Sequence, residues 1–262
     1  MKKTLAVLLC AALLLVCALA SAEINVTRRT LGLAEGLDKN VNHILVILQD
    51  GDTTNTLMLA SINSRTGRSV MTRIDSDFEI ELTDENGQTS LEPIGSVYVR
   101  GDKKSRGLLV CREINEALGL NVGTYVAMDI AQLPKIVDAL GSVDMGLTEA
   151  EAAALGMTWD YHDLTGEQVL SYIRLSLPED DGSRSRCYDI LMRMLYQGVH
   201  SGDLGGLVSM GTKMMKSMDT NMNPMTAMTM VSAVQAGDDR REIAVDVSVE
   251  DPRALVHKEI YE

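Results

Sequence analysis

Arginines at a reversal between two predicted helices are the side chains here whose type and spacing best suit phosphate chemistry. Arg174 ends one helix, and Arg184 and Arg186 open the next in the stretch DGSRSRCYDILMRML. Cations are unfavourable beside the positive end of a helix dipole. Convergent guanidinium groups at this place therefore predict a phosphate or diphosphate site. The alternative is a solvated charge cluster in which Asp180 and Asp181 pair with these arginines.

A second candidate site follows the first apolar segment, in the stretch ILQDGDTTNTLML. Asp50 and Asp52 lie just beyond a predicted strand, where open α/β sheets bind their ligands. Asp50 and Asn55 together predict oxygen ligands for Mg²⁺, with a substrate phosphate and water completing the coordination. An ordinary Asp-Gly turn is the alternative interpretation of this segment.

Strands and helices that alternate along the chain must position these residues. The continuous apolar run HILVIL predicts a strand that is buried on both faces. The predicted strands are 43–48, 56–63, 69–74, 124–129, 142–147 and 241–249, and the predicted helical segments are 105–119, 130–141, 148–156 and 165–177. The stretch 165–236 is predicted to be wholly helical. This pattern indicates a single α/β layered domain with a mixed central sheet and a helical C-terminal half.

The composition limits the possible partners. The formal net charge is −13, which argues against nucleic acid as a partner. Any anionic ligand must then be held by local arginines against the overall field. Aromatic residues make up 3% of the chain, so a surface that stacks bases or sugars is not expected.

The N-terminal stretch MKKTLAVLLCAALLLVCALASAE is typical of an export signal. Lys2 and Lys3 precede an apolar run, and ASA at 20–22 is a small-residue cleavage site. We predict a signal peptide over 1–22 and an exported, extracytoplasmic protein, secreted or attached at the outer face of the cytoplasmic membrane. An uncleaved anchor is the alternative, although the apolar run is shorter than the roughly 20 residues of a membrane span.

Sulfur-containing side chains leave two questions open. Cys111 and Cys187 could form a disulfide outside the cytoplasm or remain as two buried thiols. Methionines at 210, 214, 218 and 222 are spaced by four and form a helical stripe. Such a stripe suits a helix core, or alternatively an adaptable groove for a lipid chain.

The order of these segments resembles the LytR-CpsA-Psr family of bacterial envelope proteins. HILVILQD followed by NTLMLASINSRTG resembles its first strands, and REINEALGLNVGTYVAMDIAQLPKIVDALGSVDMGL and DLTGEQVLSYIR are similar to its most recognisable runs. The resemblance covers about residues 42 to 235. It implies an α-β-α layered fold with a hydrophobic tunnel for a polyprenyl chain. The predicted divisions are a signal peptide (1–22), a lead-in (23–41), the family-like domain (42–249) and a polar tail (250–262).

The resemblance implies a Mg²⁺-assisted phosphotransferase. Family members move a glycopolymer from a polyprenyl diphosphate carrier at the membrane surface onto peptidoglycan. Arginines and the metal would stabilise charge on the transferring group. The residues carried over are Asp50 and Arg174 as catalytic residues, Arg174, Arg184 and Arg186 as phosphate ligands, and Asp50 and Asn55 as metal ligands.

The match to the family pattern is incomplete. Asn55 stands where a second metal-binding Asp is expected, and a neutral amide is a weaker Mg²⁺ ligand. Ser76 replaces the arginine of the family's IPRD, although Asp77 is kept. Ser176 stands in place of a helix arginine, and Arg184 is offset by one residue. These departures leave a second hypothesis open, a non-catalytic homologue that binds a lipid-linked diphosphate or a partner protein.

Overall fold

The computed structural model describes residues 31–83, 87–101, 105–177, 182–200 and 218–262. Its strands are β1 (Val41–Asp50), β2 (Thr53–Asn63), β3 (Ser69–Ile74), β4 (Glu79–Thr83), β5 (Thr89–Pro93), β6 (Tyr125–Asp129), β7 (Val143–Gly146), β8 (Tyr161–Leu164), β9 (Asp219–Thr220) and β10 (Arg240–Val245). Its helices are α1 (Val97–Arg100), α2 (Arg106–Leu118), α3 (Leu133–Leu140), α4 (Glu149–Leu155), α5 (Gly166–Ile173), α6 (Gly182–His200), α7 (Pro224–Ala236) and α8 (Pro252–Tyr261). The predicted signal peptide, the pairing with Asp180 and Asp181, and Met210 and Met214 of the methionine stripe lie outside these described residues.

A mixed six-stranded sheet has the strand order β10-β3-β2-β1-β6-β9. β2 is antiparallel to β1 and β3, whereas β6 is parallel to β1 and β10 is parallel to β3. The pairs β4-β5 and β7-β8 form separate two-stranded sheets. The predicted mixed sheet is confirmed, and the predicted strand 69–74 coincides with β3.

Helices cover both faces of the sheet because its central strands are apolar on both sides. Leu45 and Leu59 pack in one cluster with α2 and α8. Leu48 and Met58 belong to a second cluster with α3, α5 and α6. The α-β-α layered single domain is therefore confirmed. Within the described ranges, no helix has the length and apolar character that crossing a bilayer requires.

Capping residues begin the helices where the sequence predicts. Thr148 and Glu151 form a capping box at α4, and Thr165 and Gln168 form another at α5. α5 ends at Ile173, earlier than the predicted end at 177. The helix stops early because the Leu175 carbonyl accepts a hydrogen bond from the Arg186 side chain, which holds the chain in an irregular course.

Two predicted segments need correction. Residues 250–262 are not a polar tail, because α8 begins at Pro252 and buries Val256 and Ile260 against the core. The stretch 165–236 is not wholly helical, since β9 pairs with β6. A two-residue strand carries no periodic pattern, and side-chain bonds such as the one from the Thr220 hydroxyl to the Tyr125 carbonyl hold it in place.

The two cysteines that follow the predicted signal are free and buried. Cys111 belongs to the cluster on one face of the sheet and Cys187 to the cluster on the other. The sheet therefore separates the two thiols, and the structure has buried thiols in place of the disulfide alternative. Burial raises the pKa of each thiol to about 12, so both stay protonated at neutral pH.

Candidate functional site

A β-bulge at the end of the β1-β2 hairpin positions the first candidate residues. Leu48 pairs with Thr56 and Gln49 pairs with Thr54, which leaves Asn55 as the extra residue of β2. Bulges of this kind re-aim a side chain at the rim of a sheet. Asp50 ends β1 at the same rim, at the carboxyl end of a central strand.

Asp50 and Arg174 meet at this rim. The Arg174 Nη2 lies 3.6 Å from Asp50 Oδ1, and both side chains are about half exposed. The early end of α5 places Arg174 at the helix C-cap, so its side chain can reach the strand end. An ion pair this exposed contributes at most about 1 kcal/mol, so an anionic ligand can displace it easily.

Asn55 joins β2 to the first turn of α6. Its Nδ2 donates to the Ser183 hydroxyl at 3.0 Å, and its Oδ1 accepts from the Thr56 hydroxyl at 2.9 Å. The Thr56 hydroxyl also lies 3.2 Å from the Arg184 carbonyl. The side chain of Asn55 is consequently buried against the helix N-terminus.

Arg184 pairs with aspartates that follow β3. Its Nη1 and Nη2 donate to the two carboxylate oxygens of Asp77 at 2.6 and 3.2 Å, and Nη1 also donates to Asp75 at 3.2 Å. The hydrogen bonds from Arg184 hold the pKa of Asp77 below its ordinary value of 3.8. These carboxylates stabilise the Arg184 cation at the positive end of the α6 dipole, where a cation without a partner is unfavourable.

Arg184→Gln is expected to lower the melting temperature near neutral pH but not at strongly acidic pH. Because the folded pKa of Asp77 is depressed, its pair with Arg184 stabilises the fold above pH 3.8, and this contribution is lost as the pH falls through the lowered pKa. The effect should be below about 1 kcal/mol, since the pair is exposed. Thermal melts across this pH range measure it, and a difference that stays constant at every pH would contradict this assignment.

Arg186 is buried and does not lie with the other arginines at the surface, and its role as a phosphate ligand stays a prediction. The residue is 3% exposed, donates to the Leu175 carbonyl and lies over the Tyr172 ring at 5.9 Å from its centroid. Each residue of a helix is rotated by about 100° from the one before it, so side chains two residues apart lie on nearly opposite faces. Arg184 therefore faces outward when Arg186 faces inward. Arg186 thus holds the segment that carries Arg174.

Beside Arg184 lies a polar cleft of about 420 Å³. Its lining residues are Asn55, Thr56, Arg73, Ile74, Asp75, Ser76, Arg184, Ser185, Asp246, Val247 and Ser248. Sequence reasoning missed the contributions of Arg73, Asp75 and Asp246. Asp75 precedes Ser76 in the IDSD stretch and could have been found, whereas Asp246 follows β10 and only the β3-β10 pairing brings it here.

The oxygen donors near Asp50 determine how Mg²⁺ fits this site. Among the described residues, no cluster of three His, Cys, Asp or Glu side chains could hold a metal. Asn55 Oδ1 already accepts a hydrogen bond from Thr56. Mg²⁺ commonly binds through one or two carboxylates together with substrate phosphates and water. Asp50 therefore fits a Mg²⁺ shared with a diphosphate, but these residues do not fit a metal held by protein alone.

Comparisons with known proteins agree with this fold. The Bacillus subtilis protein TagV has a TM-score of 0.66 at 14% identity, over 86% of this chain and 98% of TagV. TagT bound to LIIa-WTA has a TM-score of 0.67 at 16% identity, over 87% of this chain and 93% of TagT. Biofilm regulatory protein A of Streptococcus mutans is 23% identical over 145 residues, which are 51% of this chain and 35% of that protein. The match thus spans about a third of that relative.

A family model decides the classification. The model of the LytR_cpsA_psr family matches residues 32–251. The matched range includes both strands of the bulged hairpin and the helices that carry Arg174 and Arg184. The chain belongs to the LytR_cpsA_psr family.

Proposed function

We propose that this protein is an extracytoplasmic envelope-assembly protein that binds a polyprenyl diphosphate-linked glycopolymer and transfers the glycopolymer to peptidoglycan. The observation that carries the proposal is the half-exposed pair of Arg174 and Asp50 at the carboxyl end of β1. TagT, which shares the fold, is bound to LIIa-WTA in its structure, and this supports a related ligand here. The polyprenyl chain would reach the site from the outer face of the cytoplasmic membrane.

The transfer would be a displacement at phosphorus. A peptidoglycan hydroxyl attacks the sugar-linked phosphate, the bond to the bridging oxygen breaks, and polyprenyl phosphate leaves. Arg174 and Arg184, which now pair with Asp50 and Asp77, would bind the phosphate oxygens, and the Asp50 carboxylate would take up the hydroxyl proton. A Mg²⁺ shared between Asp50 and the diphosphate would supply further positive charge at the phosphate oxygens.

A non-catalytic binding protein is the second candidate, and the position of Asn55 favours it. The Asn55 amide is hydrogen-bonded to Ser183 and Thr56, so it serves to join β2 to α6. The site then has one carboxylate for a metal, Asp50, together with guanidinium groups for a diphosphate. Such a site can hold the lipid-linked ligand without accelerating its transfer.

Asn55→Asp is expected to make the binding of geranyl diphosphate at least tenfold more dependent on Mg²⁺. The Ser183 hydroxyl can rotate to donate to the new carboxylate, and a negative charge beside the N-terminus of α6 is favourable. Protein folding should therefore be preserved while a hard oxygen ligand is added. Titration calorimetry with and without Mg²⁺ measures the change.

Asn223→Asp is the matched control, because Asn223 caps α7 and its side chain accepts from the Met225 backbone amide. This control should leave Mg²⁺ dependence unchanged. A failure of unmodified protein and Asn55→Asp alike to bind geranyl diphosphate would overturn the proposed function. Release of prenyl phosphate by the unmodified protein, measured with a glycan acceptor, would eliminate the non-catalytic candidate, whereas binding without release would support it.

A further inference from the structure

The β7-β8 hairpin presents exposed aromatic side chains on the side that faces away from the core. This outer face consists of Asp144, Gly146, Tyr161 and Asp163. Tyr161 is 65% exposed, and Trp159, two residues before it, is 73% exposed. The Tyr161 ring lies across Gly146, where an added Cβ would meet ring carbons at 3.2 Å. The ring is therefore held against the strand while most of it stays open to solvent.

The segment that contains this hairpin and its neighbouring helices α4 and α5 is strongly acidic. Residues 143–173 include no lysine or arginine, and their carboxylates belong to Asp144, Glu149, Glu151, Asp160, Asp163 and Glu167. Within the ranges that the structure describes, none of these carboxylates pairs with a lysine or arginine from elsewhere in the chain. The surface around the exposed rings thus carries negative charge without internal compensation.

Two of the carboxylates face each other across the hairpin. Asp144 is directly opposite Asp163 in the antiparallel register, one pair along from the buried pair of Val143 and Leu164. Like charges at opposite positions of neighbouring strands are unfavourable. A cation placed between the two carboxylates would remove this repulsion. It would also lie beside the Tyr161 ring, which is two residues from Asp163 on the same face of the strand.

A protein segment that carries arginine or lysine suits this surface better than the other classes of partner do. Guanidinium and ammonium groups pair with carboxylates and also bind over aromatic rings. The carboxylates would repel nucleic acid and an anionic membrane surface. A neutral saccharide could stack on the rings, but it would leave the two facing carboxylates without compensation. Tyrosine, tryptophan and arginine are also enriched in protein interfaces.

We propose that the outer face of the β7-β8 hairpin is a docking surface for a basic segment of a partner protein. An arginine or lysine of that segment lies between Asp144 and Asp163 and against the Tyr161 ring. Trp159 packs on the adjoining part of the segment. The inference does not rest on the proposed function, because none of these residues lines the cleft beside Arg184.

The fluorescence of Trp159 reports directly on this surface, because the chain has no other tryptophan. The probes are a tetra-arginine peptide with blocked ends and the same peptide with uncharged citrulline in place of arginine. At physiological ionic strength we expect a saturable change in fluorescence with the arginine peptide and none with the citrulline peptide. An arginine peptide that leaves the fluorescence unchanged would overturn the proposal.

The double change Asp144→Asn with Asp163→Asn should weaken binding of the arginine peptide by about fivefold or more. It should leave the melting temperature unchanged or raise it, because the repulsion between the carboxylates is removed. Glu79→Gln with Glu81→Gln is the matched control, since it removes the same charge from exposed positions of β4. Equal losses of affinity in both double variants would show a general attraction of charge and sink the docking surface.

Tyr161→Leu tests the part played by the ring. It keeps an apolar side chain over Gly146 but loses the aromatic face, and it should weaken peptide binding by about threefold. Tyr196→Leu is the control, because Tyr196 is 56% exposed on α6. Titration calorimetry beside the fluorescence separates a lost signal from lost binding. An unchanged affinity in Tyr161→Leu would refute the placement of the cation against this ring.

Two further probes address other occupants of the surface. Phosphatidylcholine vesicles would shift the Trp159 emission to shorter wavelength if the surface met a membrane. A tetramer of N-acetylglucosamine would change the emission if the rings stacked on a glycan. A response to either of these probes, with none to the arginine peptide, would replace the protein partner and overturn the inference.

Discussion

Arg174→Gln is expected to weaken the binding of geranyl diphosphate by about 10- to 100-fold. Charge-assisted hydrogen bonds contribute about 1.5–3 kcal/mol each, and Arg174 is the half-exposed cation paired with Asp50 at the strand end. The free energy of unfolding should change by less than about 1 kcal/mol, because the ion pair is exposed. Titration calorimetry and thermal melts measure the two effects separately.

Arg65→Gln is the control for this change. Arg65 is also an exposed arginine near a carboxylate, 4.0 Å from Asp38, and it follows the opposite end of β2. Its replacement removes the same unit of charge from the molecule without touching the rim that carries Asp50. Equal losses of affinity in both variants would show a general charge effect and contradict a site at Arg174.

Leu59→Ala is expected to lower the free energy of unfolding by about 2–5 kcal/mol. Leu59 is fully buried in β2, the strand between β1 and β3, and the truncation leaves a cavity in the cluster beneath α2. Chemical denaturation followed by circular dichroism measures the loss.

The comparison variant is Leu91→Ala, because Leu91 is 63% exposed in β5. Its effect should be within about 0.5 kcal/mol. If Leu59→Ala changed stability as little as Leu91→Ala does, the sheet could not be the rigid support on which Asp50 and Asn55 are placed.

Elements with strong local patterns could be predicted from the sequence. The uninterrupted apolar run at β1 requires cover on both faces, and the capping residues Thr148 and Thr165 mark helix starts because their side chains bond the backbone nearby. α8 was missed, since its buried contacts Val256 and Ile260 are too few to produce a clear helical period in a short polar segment.

The candidate site was only partly predictable, because the directions of its side chains and the distances between them depend on how separate elements pack together. Asp50 and Arg174 could be found, since each ends an element with a clear pattern. The inward direction of the Arg186 side chain depends on the register of α6, and its hydrogen bond to the Leu175 carbonyl is seen only in the folded structure. In the sequence, Asn55 stands in the place of a metal-binding Asp. Its hydrogen bond to Ser183 could not be predicted, because it forms only where α6 packs against β2.

The central claim is that a lipid-linked diphosphate binds at Arg174, and the NMR signal of its guanidinium group tests this most directly. Protein labelled with ¹⁵N-arginine is titrated with geranyl diphosphate in the presence of Mg²⁺, and the Arg174 Nε–H resonance is assigned from its loss in Arg174→Gln. We expect a saturable shift of this resonance at the concentration where calorimetry detects binding, with the Arg65 resonance unchanged. Saturable binding that leaves the Arg174 resonance in place would contradict the account.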